Sequence, residues 1–232
     1  MKAVIIAAGK GSRMLSETPK TLMPFGDRTI LATIIGNIAQ TGIRDFGIVV
    51  GFQSSIIRAA MANMQELSGF SFSFIDNPQW EKGNGISVLA SETYVGGDPF
   101  LLSMCDHVVS SQAIARVAKS TKRANLLLVD KRIDSVFDID DATKVKTREN
   151  SITAIGKELT DYTGIDCGIF RLTTRFFDSM RGQLTLGKES ISAAITGLID
   201  KGDMEAVFME ADEFWSDIDT PEAYRNAQKM FL

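Results

Sequence analysis

At 232 residues, with 44% hydrophobic and 23% charged side chains, the chain has the composition of an ordinary folded domain and the length for one large domain or two small ones. A formal net charge of −4 argues against a nucleic-acid binder, which normally shows a basic face, so local basic residues must meet any anionic substrate. One histidine and two cysteines, Cys105 and Cys167, without a Cys-x-x-Cys pair, argue against zinc and fit small buried thiols in a reducing cytoplasm, and no apolar run of about 18 residues or signal peptide points to a membrane.

Met1-Lys2-Ala3-Val4-Ile5-Ile6 reads as a buried strand running into Ala7-Ala8-Gly9-Lys10-Gly11-Ser12-Arg13. Small residues and two glycines let backbone N–H groups come close to a phosphate, because no Cβ intervenes. Ala7, Ala8, Gly9, Gly11 and Ser12 are therefore candidate nucleotide contacts. Arg13, a planar fork, and Lys20, a point charge in Pro19-Lys20-Thr21, add fixed positive charge beside that cradle. A P-loop would need Ser or Thr where Gly11 stands, and a dinucleotide fingerprint would need glycine where Met14 stands. The alternative is a tight strand-to-loop turn with two solvated cations. The residues favour a nucleoside triphosphate site.

Ile30, Ile34, Ile35 and Ile38 recur at helical spacing up to Gly42, residues 46–50 read as the second strand, and residues 54–62 as a helix with Ser54 as N-cap. Residues 70–75 alternate serine with apolar side chains, as in a strand with one wetter face. Gly83-Asn84-Gly85-Ile86-Ser87 precedes a helix through Ala90. Its glycines would admit a base edge and Asn84 both donates and accepts, although capping by Asn84 or Ser87 explains the same residues. Trp80 reads as core or lid.

Asp106 directly follows the strand at residues 100–105. In a doubly wound sheet the carboxyl ends of strands line the ligand crevice, where a carboxylate suits Mg²⁺; a helix cap or surface aspartate is the alternative. Strand alternation would turn His107 to the opposite face, as a supporting or structural residue. A helix at 112–118 and a strand at 126–129 continue the βα rhythm of a mostly parallel sheet covered on both faces.

Between residues 131 and 165 the rhythm changes. Residues 143–147 and 151–155 alternate as a hairpin turning at Glu149-Asn150, bearing Lys144, Lys146 and Lys157, which usually mark only a solvated face. A strand at 165–171, helices at 173–180 and 190–200, a strand at 206–209 and a helix starting at Pro221 complete the chain. In Trp215-Ser216-Asp217-Ile218-Asp219-Thr220-Pro221-Glu222, extended backbone puts Asp217 and Asp219 on one face. Two such carboxylates need a cation or base beside them, and capping of the last helix is the alternative for Asp219.

The composite of strand, Gly-x-Gly-x-Arg and, seven residues on, Lys20 within Pro-Lys resembles the nucleotidyltransferase family that activates sugar phosphates and related phosphorylated alcohols. The resemblance spans nearly the whole chain. It implies the nucleotidyltransferase fold, an α/β doubly wound, Rossmann-like, mostly parallel sheet with helices on both faces, as one domain over residues 1–232 with an acceptor-side hairpin insertion around 131–165. It also implies that Arg13 and Lys20 hold the triphosphate, with Lys20 facing the α-phosphate, and that Asn84, Gly85 and Ser87 help read the base. Asp106 would be the principal ligand of Mg²⁺, completed by Asp217 or Asp219, with Asp217 slightly favoured. The runs 142–146, 155–159 and 164–170, with Met104-Cys105-Asp106-His107, are similar to a narrower branch, the CTP:inositol-1-phosphate cytidylyltransferases. That likeness implies CTP and inositol 1-phosphate as substrates, Lys20, Arg13 and Asp106 as catalytic residues, and Lys144, Lys157, Asp166 and Gly168 around the acceptor. It implies a cytoplasmic domain without nucleic-acid or membrane contact of its own, with room for a fused membrane CDP-alcohol transferase beyond Leu232. The rivals are the same chemistry on phosphocholine, an aminoalkyl phosphonate or a sugar 1-phosphate, and a nucleotide-binding regulatory module without turnover.

Overall fold

The structure is a computed structural model that describes residues 1–14, 16–122 and 124–231. Its first strand, β1 (Lys2–Ala7), sends alternate side chains into two separate cores: Ala3, Ile5 and Ala7 into one, Val4 and Ile6 into the other. A short ladder of β2 (Pro24–Phe25) and β3 (Arg28–Thr29) leads into α1 (Ile30–Ala39), whose apolar stripe is buried and whose first turn is capped by the Thr29 hydroxyl, which accepts from Ala32 N–H at 3.1 Å. Then follow β4 (Asp45–Val50), α2 (Ser54–Ala62), β5 (Ser71–Asp76), α3 (Asn84–Ala90), α4 (Glu92–Val95), β6 (Phe100–Met104), β7 (His107–Val109), α5 (Ser111–Ala118) and β8 (Asn125–Asp130). The hairpin β9 (Lys144–Arg148) and β10 (Ser151–Gly156) precedes β11 (Gly164–Leu172), α6 (Arg175–Leu184), α7 (Ile191–Ile199), β12 (Met204–Phe208), β13 (Trp215–Asp217) and α8 (Pro221–Phe231).

Nine strands form one sheet in the order β5-β4-β1-β6-β11-β8-β12-β10-β9. From β5 to β6 every pair is parallel. Beyond β6 the sheet is mixed: β11 runs antiparallel to both β6 and β8, because it enters straight from the hairpin without the helical crossover that a parallel strand needs. The hairpin turns at Glu149, in left-handed conformation (φ 54°), and β9 also pairs with the first residues of β11, so the 131–165 segment joins the sheet. Helices cover both faces. Side chains of α1, α2, α5 and α8 pack into the first core, and those of α3, α6 and α7 into the second, where Phe100 and Phe177 stack with ring centroids 5.5 Å apart. One cap differs from expectation: α2 is preceded by Gln53 at φ 52°, and Ser54 is already its first helical residue. Among the described residues, no helix is long and apolar enough to cross a membrane.

Candidate active site

β1 and β6 are hydrogen-bonded neighbours with Ile6 opposite Met104, so the glycine loop and Asp106 leave the sheet at the same edge. The loop is pinned by Phe52 N–H donating to Ala8 O at 2.9 Å and Met14 N–H donating to Gly11 O at 3.1 Å. Two short turns, Ser12–Met14 and Lys20–Leu22, carry Arg13 and Lys20. Lys20 Nζ is buried and donates to Asp106 Oδ2 at 2.7 Å and to Asp219 Oδ1. Burial alone would favour the neutral amine, but Asp106 and Asp219 outweigh it and hold the ammonium well above the ordinary lysine range. Arg13 donates to Asp141 Oδ2 at 2.5 Å and to Asp219 Oδ2. Gly9, Gly11, Ser12, Arg13 and Lys20 line a cavity of about 350 Å³ above the loop, whereas Ala7 and Ala8 are buried behind its wall.

The acidic half of the site is assembled by a two-stranded ladder. β13 pairs antiparallel with β7, placing Asp217 opposite His107, and Ile218 N–H donates to Asp106 O at 2.8 Å. Ile218 is fully buried, as alternation requires. One ligand atom from each of Asp106, His107 and Asp217 lies within 4.8 Å of the others. His107 does not take the opposite face: the chain bends between β6 and β7, and Nδ1 lies 2.8 Å from Asp106 Oδ1 and 3.9 Å from Asp217 Oδ1. Alternation fails there because the strand has ended. Trp215 stacks on His107, centroids 5.8 Å apart, and donates Nε1–H to Asp130 Oδ2 at 2.9 Å.

The three groups titrate differently. Burial opposes charge on Asp106, yet Lys20 and His107 hold its carboxyl well below the usual range. Burial pushes Asp217 up to about 7 against the pull of His107, while burial of His107 is outweighed by Asp217 and Asp106, which raise it to about 9. Asp217 Oδ1 is buried without a hydrogen-bond partner, an arrangement that costs about 1–3 kcal/mol. A divalent cation between Asp106 and Asp217 would satisfy that oxygen, and the carboxylate donors suit Mg²⁺. Asp219 instead gives one oxygen to Lys20 and the other to Arg13.

A second cavity, of about 240 Å³, shares Arg13, Asn84, Met104, Asp106 and Asp219 with the first. Lys157, Asp166 and Gly168 also line it. Asp166 Oδ1 accepts from Gly168 N–H at 2.7 Å, and burial pushes its carboxyl up to about 6. Lys157 donates to Asp141 Oδ1 at 2.6 Å. Lys144 is not on this wall: it is buried, with Nζ donating to Asp140 O at 2.8 Å, and its neighbour Thr143 faces the cavity. The loop at 83–87 is partly given to packing. Asn84 Oδ1 accepts from Ile191 N–H at 2.9 Å, and Gly85 is so close to α6 and the start of α7 that a Cβ would lie 2.5 Å from Met180 Sδ. Asn84 lines both cavities, and Ser87, bonded to Asn77, lines the first. Asp141 escaped sequence reasoning, being one of four aspartates in an irregular connection with no spacing to single it out.

A glycine loop with two cations at a strand end, facing carboxylates from a second strand end, is the arrangement of an NTP transferase. The chain belongs to the family of MobA-like NTP transferase domains, whose family model matches residues 3–208. It is 31% identical over 231 residues to the bifunctional IPC transferase and DIPP synthase of Thermococcus kodakarensis, covering 100% of this chain and 50% of that one. The Archaeoglobus fulgidus protein of the same name is 30% identical over 232 residues, 100% of this chain and 44% of that one. The chain thus spans about half the length of these relatives. The solved inositol-1-phosphate CTP transferase of T. maritima shares the fold, with a TM-score of 0.86 over 99% of this chain and 95% of that one at 24% identity.

Proposed function

We propose that this chain is a cytidylyltransferase that transfers CMP from CTP to inositol 1-phosphate, giving CDP-inositol and pyrophosphate. The observation that carries this reading is the meeting of two cavities at Arg13, Asp106 and Asp219, one over the glycine loop and one walled by Lys157 and Asp166. A site with one nucleotide-sized space and a second, polar space sharing a charged junction fits two anionic reactants held end to end. The names of the full-length relatives and of the T. maritima protein point to the same substrates.

In the proposed step a phosphate oxygen of the acceptor bonds to the α-phosphorus of CTP while the bond from that phosphorus to the α–β bridging oxygen breaks. The electron pair leaves with pyrophosphate. Both reactants are negative where they meet, so positioning and charge neutralisation dominate, and an already ionised phosphate needs no general base. The backbone of Gly9 to Ser12 cradles the triphosphate, Arg13 neutralises charge where the two reactants meet, and Lys20 stabilises charge at the α-phosphate. Asp219 keeps both cations in place, and Lys157 and Asp166 hold the acceptor. Asp106 and Asp217 would hold Mg²⁺, which would supply charge neutralisation for the reacting phosphates.

Pyrophosphate release with each of the four nucleoside triphosphates and a panel of acceptors tests the reading. CTP with inositol 1-phosphate is expected to exceed every other pair by about tenfold or more, the scale of one well-placed specificity contact. Faster release with phosphocholine, an aminoalkyl phosphonate or a sugar 1-phosphate would replace the acceptor. CTP binding without release under any acceptor would make the chain a regulatory module.

A further inference from the structure

The cations around the two cavities have carboxylate partners: Lys20 has Asp106 and Asp219, Arg13 has Asp219 and Asp141, and Lys157 has Asp141. Among these acids only Asp141 pairs with Lys157, on the wall of the second cavity. It stands outside the cluster of Asp106, His107 and Asp217, so a metal ion bound there leaves it without a new partner. Its two oxygens are held by two different cations, Oδ2 by Arg13 Nη1 at 2.5 Å and Oδ1 by Lys157 Nζ at 2.6 Å. Those cations come from opposite sides of the site, one on the glycine loop and the other just past the end of β10. A guanidinium and an ammonium converging on one point form the donor set of a phosphate subsite, where a dianion would gain both contacts and a carboxylate satisfies each with a single oxygen.

We propose that Asp141 is a built-in stand-in for the acceptor's phosphate, holding Arg13 and Lys157 in register at the subsite and being displaced as the phosphate enters. It thereby sets the affinity of that subsite. The identification of the anion as the acceptor's phosphate rests on the function proposed above; the competition itself does not. The Asp141 side chain is 35% exposed, so a side-chain rotation returns its carboxylate to water. The backbone stays anchored, because the Lys144 ammonium holds Asp140 O and Thr143 O accepts from Asp166 N–H at 2.9 Å.

Titration of the nucleotide-free protein with inorganic phosphate, followed by calorimetry, tests the proposal without turnover. Two partly exposed ion pairs compete with the ligand, so Asp141→Asn and Asp141→Ala are expected to bind phosphate about threefold to tenfold tighter than wild type. Adding Lys157→Ala to Asp141→Asn is expected to abolish the gain. Asp138 lines the same cavity but makes no ion pair with Arg13 or Lys157 among the described residues, so Asp138→Asn reports the bare effect of removing one charge and is expected to change affinity by less than about twofold. In turnover, the acceptor KM of Asp141→Asn should fall by the same factor. Unchanged or weaker phosphate binding in the Asp141 variants, or an equal gain in Asp138→Asn, overturns the proposal. If wild type releases no pyrophosphate from CTP and inositol 1-phosphate while the Asp141 variants still bind phosphate tighter, the functional reading fails and the stand-in survives.

Discussion

Asp217 lies directly across a β-ladder from His107, and the hydrogen bond from Ile218 N–H to Asp106 O locks that register. Segments 110 residues apart in sequence are thereby fixed at one edge of the sheet. A slip of one residue would turn Asp217 inward and bring Ile218 to the site, so the register is enforced by the burial of Ile218. The ladder therefore matters as much as the carboxylates it presents.

Gly168 supports this corner from behind. It sits at φ 73°, and a Cβ there would lie 2.6 Å from His107 Cδ2. Gly168→Ala combines a left-handed strain of about 1–2 kcal/mol with displacement of the imidazole. The expected result is a lower melting temperature together with a loss of turnover larger than that stability change explains. Wild-type activity in this variant would show that the position of His107 is unimportant.

Lys20 is the buried cation between Asp106 and Asp219. Removing a preorganised charge of this kind typically costs on the order of 10²–10³ in turnover. Lys20→Ala should show a loss of that size in pyrophosphate release with its circular dichroism spectrum unchanged, because both carboxylates left behind border a cavity that water can enter. Release within about threefold of wild type would remove Lys20 from the chemistry.

Asp130 holds the Trp215 ring that packs on His107. Burial would raise its carboxyl, but the Arg132 side chain and backbone N–H, with Trp215, hold it below the usual range. A folded-state value below the unfolded one gives stability that is present above the unfolded pKa, near 4, and lost as pH falls through the folded value. Asp130→Asn should therefore melt lower than wild type at pH 7, by roughly the 2–4 °C per kcal/mol usual at this size, and the gap should close as pH drops below about 4. A gap that stays constant between pH 7 and about pH 3 would mean that the ionised carboxylate contributes nothing.

The parts of this site that sequence made legible are those set by short spacing. The apolar run of β1, the two glycines, Arg13 and Lys20 sit within one strand and its following turns, where local geometry decides everything. Period-two alternation likewise placed Asp217 and Asp219 away from the buried Ile218. The same rule misplaced His107, because the strand ends at Met104 and the chain bends before β7 begins. Two lysines of one hairpin looked equivalent, yet pairing between β9 and β11 turns Lys144 inward, whereas Lys157 lies past the end of β10 and reaches the cavity. The direction of β11 was equally hidden, since an apolar run carries no mark of parallel or antiparallel pairing. Asp141 has meaning only through Arg13 and Lys157, which the fold brings to it from 128 and 16 residues away.

The most direct test of two distant acidic segments sharing one divalent ion is the magnesium dependence of pyrophosphate release from CTP and inositol 1-phosphate. Asp217→Asn is expected to raise the magnesium concentration for half-maximal activity by about tenfold or more, whereas Asp219→Asn, which loosens Lys20 and Arg13, should lower turnover and shift that midpoint by less than about threefold. An Asp217→Asn enzyme with wild-type turnover and an unchanged magnesium requirement would contradict the shared ion.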